Sequence, residues 1–200
     1  HLQSYTERYV YDDKEIGEDN LADLLEDIEK INGSDNLSEF EALTCAYLKY
    51  CEQYRDNVTF IEAGLFHRMD STNVFKNNLC TLLGSISIDH LSWLENKSID
   101  GIIHEKTTKL LTSKIFVNKQ ENKETTLKIK DALKDNKSEK YFYGDDFNYL
   151  TAENNFIQYE DDKGSVILPE PNILGEHQLA NISTAIMAAR NIFNIKDEHI

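Results

Sequence analysis

The stretch Phe-Ile-Glu-Ala-Gly-Leu-Phe-His-Arg-Met-Asp-Ser-Thr-Asn-Val, residues 60–74, begins as an apolar run and ends in charged and amide side chains. Continuous apolar runs of this kind are typical of strands buried on both faces of a parallel sheet. Open α/β sheets bind ligands beyond the carboxyl ends of such strands. The pattern therefore predicts a buried strand over residues 58–63 with a ligand site at its end.

Length, charge and cysteine content narrow the class of protein. Two hundred residues with 40% hydrophobic content can bury one sizeable core, so one main domain is expected. The net charge of -15 argues against a protein that coats nucleic acid or an anionic membrane. There is no run of eighteen apolar residues and no signal-peptide pattern, which predicts a cytoplasmic protein. Three cysteines, Cys45, Cys51 and Cys80, are expected to be unpaired thiols with no zinc site.

Outward from residues 60–74 the pattern alternates helices and strands. Three features predict helix starts: Asn20 as a cap, the capping box of Ser38 and Glu41, and Asn122 as a cap. The second helix is expected to run to about Arg55, and two further helices are predicted over residues 98–111 and from Gly175. Strands are predicted over residues 79–88, 114–117 and 140–143, and hairpins over 147–168 with a turn at 161–164. The expected assembly is α/β, a mostly parallel sheet flanked by helices.

Two acids in the opening stretch have two interpretations each. Glu62 follows an apolar run, where a carboxylate needs a cation, a metal ion or several donors; a surface glutamate just past a strand is the alternative. Asp70 with Arg68 either contacts a substrate or forms a structural ion pair that closes the loop.

Two later segments also carry candidate groups. His90 ends a second apolar run after Asp89, so it is either a ligand for a metal or polar substrate or a structural histidine. Residues 175–181 place His177, Gln178 and Asn181 at a helix start, which suits an anion or simple capping. Lys106, judged by spacing alone, is a solvated surface residue.

The order and wording of these segments resemble folylpolyglutamate synthases and dihydrofolate synthases of the Mur ligase superfamily. That family has a Ser-Pro-His-Leu segment and an Asn/Thr-Glu-Arg-Ile phrase. It then has Glu-x-Gly-Leu-Gly-Gly-Arg-Leu-Asp-Ala-Thr-Asn, Ile-x-x-Asp-His, Glu-Lys-Ala-Gly and Gly-x-His-Gln-x-x-Asn. The matching segments here are residues 1–2 with 6–8, 62–73, 86–90, 105–106 and 175–181. They span essentially the whole chain in the family's order.

The resemblance implies a reaction and a set of site residues. ATP phosphorylates a folate or dihydropteroate carboxylate, and the amine of L-glutamate then attacks the acyl phosphate, with Mg2+ neutralising the phosphate charge. The implied metal ligands are Glu62, His90 and, once carbamylated, Lys106. The implied catalytic residues are Lys106, Asp70 and His90. Nucleotide binding is implied for His177, Gln178 and Asn181, and substrate binding for His1, Leu2, Arg68 and Asn73.

The resemblance also predicts the organisation of the protein. Residues 1–200 would form part of a Mur ligase central domain, incomplete at the N-terminal end, without the C-terminal glutamate-ligase domain. No Gly-x-x-x-x-Gly-Lys-Ser/Thr motif occurs in the 200 residues, so the phosphate-binding loop is expected upstream. The implied partners are folate or dihydropteroate, L-glutamate and ATP, with no nucleic acid, no membrane and a monomeric state.

Three departures from the family pattern favour an alternative. Phe66-His67 replaces paired glycines in a turn whose backbone is expected to need either positive φ or close approach of a substrate, Thr107-Thr108 replaces Ala-Gly, and Glu176 replaces a residue that is often basic. A divergent, non-catalytic remnant or binding module of the same fold is therefore the second hypothesis. A peptidoglycan-building Mur ligase is a weaker hypothesis, because residues 68–73 have the sequence pattern of the folate branch.

Overall fold

The computed structural model describes residues 3–54, 56–151, 156–173 and 175–200, with the side chain of residue 151 excluded. The chain divides into two compact units, His1–Leu65 with Met69–Val74, and Phe66–Arg68 with Phe75–Ile200. No helix within the described ranges is long and apolar enough to cross a membrane. The three cysteines are free thiols, as predicted.

The first unit is built on two helices and a short hairpin. Its elements are β1 (Val10–Tyr11), β2 (Lys14–Glu15), α1 (Glu18–Asn32) and α2 (Glu39–Cys51). Ser38 and Glu41 form the predicted capping box at the start of α2. The core contains Tyr9, which is 1% exposed and donates its hydroxyl to the Leu43 carbonyl at 2.6 Å. Burial and a satisfied hydroxyl together hold α2 against the N-terminal segment.

The second unit contains a parallel sheet and an antiparallel sheet. Its elements are β3 (Asn78–Leu83), α3 (Ile99–Thr107), β4 (Thr112–Val117), α4 (Lys123–Ala132), β5 (Glu139–Phe142), β6 (Phe147–Thr151), β7 (Phe156–Asp161), β8 (Gly164–Pro169) and α5 (Glu176–Ile192). The parallel order is β3-β4-β5 and the antiparallel order is β6-β7-β8. Ser98, Asn122 and Gly175 begin α3, α4 and α5. The predicted α/β class, with a parallel sheet flanked by helices, is confirmed.

The central strand β4 is buried on both faces. Ile115 and Val117 belong to the core cluster under α3 and α4, whereas Phe116 belongs to the cluster under α5, and all three side chains are 0% exposed. Alternating directions along a strand place neighbours on opposite faces, which is why a continuous apolar run marks a central parallel strand. The carboxyl end of β4 therefore lies between two packed helical layers.

Four sequence predictions of element bounds were wrong. Residues 58–63 do not form a strand: neither face is covered, and Val58, Phe60 and Ile61 are 46%, 82% and 38% exposed. The strand predicted over residues 79–88 ends at Leu83, because its last partner is Val117 on β4. The helix predicted over residues 98–111 ends at Thr107.

The fourth error concerns the first helix. Asn20 lies inside α1, whose N-cap is Gly17, and Glu18 and Asp19 occupy the first turn, where acids are favourable. The predicted end of the second helix at Arg55 lies outside the described residues.

Candidate active site

Asp70 closes its own loop in the first unit. Its Oδ2 accepts the Leu65 backbone N–H at 2.7 Å, and its Oδ1 accepts the backbone N–H and hydroxyl of Thr72 at 2.9 and 2.5 Å. The Asn73 N–H donates to the Asp70 carbonyl at 3.0 Å. Local side-chain to backbone bonds of this kind define Asx-type turns. The loop that carries two predicted site residues, Asp70 and Asn73, is thus ordered by the aspartate itself.

Arg68 forms an ion pair with Glu105 on α3. Arg68 Nε lies 3.0 and 2.9 Å from the two Glu105 oxygens, and Nη2 lies 2.9 Å from Oε1. The Arg68 backbone N–H also donates to the Glu105 carbonyl at 3.0 Å. The carboxylate raises the pKa of the Arg68 guanidinium. This forked pair attaches the loop residue to the helix turn that bears Lys106.

Phe66 and His90 both adopt the left-handed conformation. Their φ angles are +58° and +51°, and their rings meet edge to face with centroids 6.3 Å apart. The expectation of positive φ at the position of the family's glycine is confirmed for Phe66. Non-glycine residues in this region carry a steric penalty, and such strained residues cluster at functional sites. The Phe66 side chain offsets part of the penalty by packing on the core of the second unit.

Lys106 is half-buried on α3, so the prediction of a solvated surface lysine from its spacing is wrong. Burial lowers the pKa of the Lys106 amine, and the negative charge of Asp89 opposes the shift. A lowered pKa increases the neutral amine, which is the form that attacks CO2 to give a carbamate. Asp89 also accepts the His90 backbone N–H at 2.7 Å and lies 3.4 Å from His90 Nε2.

The side chains around Asp89 provide some of the ligands that a hard cation such as Mg2+ needs. Carboxylate oxygens suit Mg2+, which characteristically uses one or two protein carboxylates together with phosphate oxygens and water. Asp89 supplies one such group, a carbamylated Lys106 would supply a second, and His90 adds a nitrogen. No cluster of three or more His, Cys, Asp or Glu arranged for a metal occurs within the described part of the chain. A metal ion bound here would therefore need additional oxygen ligands from the substrate.

Glu62 is exposed and lies in the irregular segment of the first unit rather than at a strand end. Its assignment as a metal ligand stays a prediction, as do the site roles of Arg68, Asp70, Asn73, His90 and Lys106. His1 and Leu2 lie outside the described residues.

The three predicted nucleotide residues occupy the first two turns of α5. Gly175 precedes them at φ +120°, a backbone conformation that side chains disfavour, so glycine is favoured at this position. His177 is exposed, whereas Gln178 is partly buried. Asn181 Nδ2 donates to Gln178 Oε1 at 3.0 Å, which couples the two amides along the helix.

A polar loop, Asn118-Lys119-Gln120, follows β4 and lies outside the set of site residues predicted from the sequence. Asn118 Nδ2 donates to Asn181 Oδ1 at 2.6 Å, and Lys119 Nζ lies 3.4 Å from Glu176 Oε1. Lys119 also sits over the rings of Tyr143 and Tyr149, 5.5 to 5.9 Å from their centroids. The signal was present, because a polar triplet follows the apolar run 115–117, the same pattern that drew attention to His90.

Comparison with known proteins finds relatives among folate-linked synthases. The chain is 31% identical over 181 residues to the dihydrofolate synthase/folylpolyglutamate synthase of Bacillus subtilis, covering 80% of this chain and 39% of that protein. It is 34% identical over 110 residues to the dihydrofolate synthetase of Saccharomyces cerevisiae, covering 53% of this chain and 26% of the relative. No family model matches the chain.

Solved structures with a similar fold come from the same group of enzymes. E. coli FolC in complex with ADP superposes with a TM-score of 0.83 at 26% identity, covering 98% of this chain and 46% of that one. The apo form of L. casei FPGS superposes with a TM-score of 0.81 at 21% identity over 97% of this chain. The chain spans about half or less of the length of the relatives it matches. In sequence and in fold, the chain is thus similar to part of the folylpolyglutamate synthases and dihydrofolate synthases.

Proposed function

We propose that this chain supplies the central, nucleotide-binding part of a ligase that joins L-glutamate to a folate or dihydropteroate carboxylate. The observation that carries the proposal is the 31% identity over 181 residues to the B. subtilis enzyme of that name. Support also comes from E. coli FolC, a structural relative solved with ADP. A monomeric, cytoplasmic enzyme is part of the proposal.

The reaction would proceed in two balanced steps. The substrate carboxylate attacks the γ-phosphorus of ATP, giving an acyl phosphate and ADP; the glutamate amine then attacks the acyl carbon, phosphate leaves, and an amide forms. Charge develops on phosphate oxygens in the first step, so positioning and electrostatic stabilisation are the main tasks of the protein. Bound Mg2+ would neutralise that charge.

The chain's own residues would share those tasks. We assign Glu62, His90 and carbamylated Lys106 to holding the metal ion, with Asp89 as an additional carboxylate ligand. His177, Gln178 and Asn181 would bind ATP at the start of α5. Asp70 would order its own loop, and Arg68 would pair with Glu105 on α3. We assign His1, Leu2, Arg68 and Asn73 to the pterin substrate on the resemblance alone.

The second candidate is a non-catalytic member of the fold, and one observation favours it. Phe66 places an aromatic ring on His90 at the position of the family's glycine, where a substrate would otherwise approach the backbone. In that case the chain would keep the fold and an affinity for ATP or a pterin without turnover.

The test is an assay for ATP- and glutamate-dependent product formation from dihydropteroate and from folate. It is run on the 200-residue chain and on the complete gene product, each as the unaltered protein, as Lys106→Met and as the matched surface variant Lys97→Met. We expect turnover by the complete product, its loss in Lys106→Met and its retention in Lys97→Met. ATP binding without turnover on either substrate would establish the non-catalytic candidate instead, and absence of both would overturn the proposal.

A further inference from the structure

Three amide side chains form a relay from the end of β4 to the first turns of α5. Asn118 Nδ2 donates to Asn181 Oδ1 at 2.6 Å, and Asn181 Nδ2 donates to Gln178 Oε1 at 3.0 Å. Asn118 Oδ1 accepts the Lys119 backbone N–H at 2.7 Å. Asn118 is only 5% exposed, so the relay begins at a buried group.

The direction of the relay follows from chemistry. A primary amide can turn half a revolution and exchange its donor and acceptor ends. A backbone N–H can only donate, so the atom of Asn118 that faces the Lys119 N–H must be its oxygen. Its nitrogen therefore faces Asn181, whose oxygen must accept, and the same argument passes to Gln178. One backbone N–H thus determines the orientation of all three amides.

The start of the relay is rigidly held. Gln120 is 8% exposed, donates to the Asn118 carbonyl at 2.8 Å and accepts the Ile86 N–H at 2.9 Å. The Asn118 N–H continues the β4 pairing by donating to the Leu83 carbonyl at 2.9 Å. The backbone of Asn118 is therefore anchored to β3, and the Lys119 N–H orients its side-chain oxygen.

The relay leaves N–H groups unused at its solvent end. Asn181 Nδ2 retains one N–H, and the amide nitrogen of Gln178 has no acceptor within the described parts of the chain. The adjacent charges of Lys119 and Glu176 lie 3.4 Å apart and offset each other. These donors suit a neutral acceptor such as a ring nitrogen of a purine better than a phosphate group.

We propose that Asn118 is a positioning residue that orients Asn181 and Gln178 to donate hydrogen bonds to a ring nitrogen of the adenine of ATP. This role rests on the proposed function, since it requires a nucleotide at the start of α5. It goes beyond the residues assigned there, because Asn118 acts through Asn181 and does not touch the ligand.

The experiment measures affinities by calorimetry with the complete gene product. The probes are ATP and its 1-deaza, 3-deaza and 7-deaza analogues, each with one ring nitrogen replaced by C–H. Asn118→Asp keeps the acceptor for the Lys119 N–H but cannot donate to Asn181, so both distal amides should turn. Asn122→Asp is the control, since it makes the same change four residues away, where the side chain accepts the Thr125 N–H and a carboxylate serves equally well. Asn181→Asp, at an exposed position, gives a second variant should Asn118→Asp fail to fold.

We expect the unaltered protein and Asn122→Asp to bind at least one deaza analogue about tenfold more weakly than ATP, the size of one hydrogen bond. Asn118→Asp and Asn181→Asp should lose that discrimination. Retention of the tenfold difference in both relay variants, or its absence in an unaltered protein that binds ATP, would overturn the positioning role alone. An unaltered protein that binds no ATP would instead overturn the proposed function on which the role rests.

Discussion

At the scale of single residues, the left-handed Phe66 combines a steric cost with a packing gain. Its φ of +58° disfavours any side chain, yet its ring packs on the core of the second unit and on His90. A family glycine at this position would meet the backbone requirement without cost. The substitution therefore trades backbone strain for an aromatic contact beside a candidate ligand residue.

The strain at Phe66 predicts an inverted order of two variants. Phe66→Gly should be more stable than Phe66→Ala by about 1 kcal/mol, because both lose the ring but only alanine retains the left-handed penalty. Urea denaturation measures the difference. Leu127 lies in the middle of α4 and is 64% exposed. Leu127→Ala should be more stable than Leu127→Gly, which is the ordinary order in a helix. An alanine variant at residue 66 as stable as the glycine variant would contradict the strain.

The surroundings of Lys106 predict that its amine loses its proton at a lower pH than an exposed lysine does. Burial lowers the pKa of Lys106, whereas Asp100 and Glu124 raise the pKa of Lys128, so Lys106 should deprotonate at the lower pH. Asp89→Asn should lower the pKa of Lys106 further, because Asp89 stabilises the ammonium form. Both lysines are labelled with an amine-directed reagent over a range of pH. Mass spectrometry then gives the pH midpoint of labelling for Lys106 and for Lys128, and the two midpoints are compared.

The lowered pKa of Lys106 also makes the stability of the protein depend on pH. Between the lowered pKa of folded Lys106 and the ordinary pKa of an unfolded lysine, the unfolded chain binds more protons. Stability from this group therefore rises with pH across that window. A midpoint of Lys106 at or above that of Lys128 would show that burial does not control this amine.

At the scale of elements, a buried ion pair joins α5 to the antiparallel hairpin of β7 and β8. Arg190 is 5% exposed at its side chain and lies 2.9 Å from Asp161, whose side chain is 0% exposed, and 2.7 Å from Asp197. Asp161 also accepts the Tyr159 hydroxyl at 2.9 Å. A buried charge left without its partner is costly, so this pair constrains how the helix meets the sheet.

Loss of Arg190 should therefore cost more than loss of its exposed partner. Arg190→Met is expected to destabilise the protein by about 3 kcal/mol, because Asp161 is left buried and uncompensated. Asp197 is 59% exposed, so Asp197→Asn should cost less than about 1 kcal/mol. Chemical denaturation of both variants gives the comparison, and equal losses would mean that the Asp161 pair is not the dominant contact.

Element prediction succeeded where local chemistry decides. Ser38 with Glu41, Asn122 and Gly175 each begin a helix as their side chains or glycine conformation predict. It failed where a distant partner decides. Residues 58–63 have the apolar run of a central strand but no strand beside them, and β3 stops at Leu83 because its pairing with β4 stops there.

At the scale of the whole molecule, the α/β class and the family resemblance followed from the sequence, while most contacts in the candidate site did not. The apolar runs, the caps and the order of the matching segments are local properties, because backbone geometry and side-chain periodicity act over a few residues. The pairing of Arg68 with Glu105 and of Asn118 with Asn181 joins residues 37 and 63 positions apart. Strand register and helix packing bring such groups together, and burial then sets the pKa of Lys106. For that reason the sequence by itself determined the class, the helix starts with local caps and the family resemblance, and only the tertiary structure decided where strands pair and which polar groups meet.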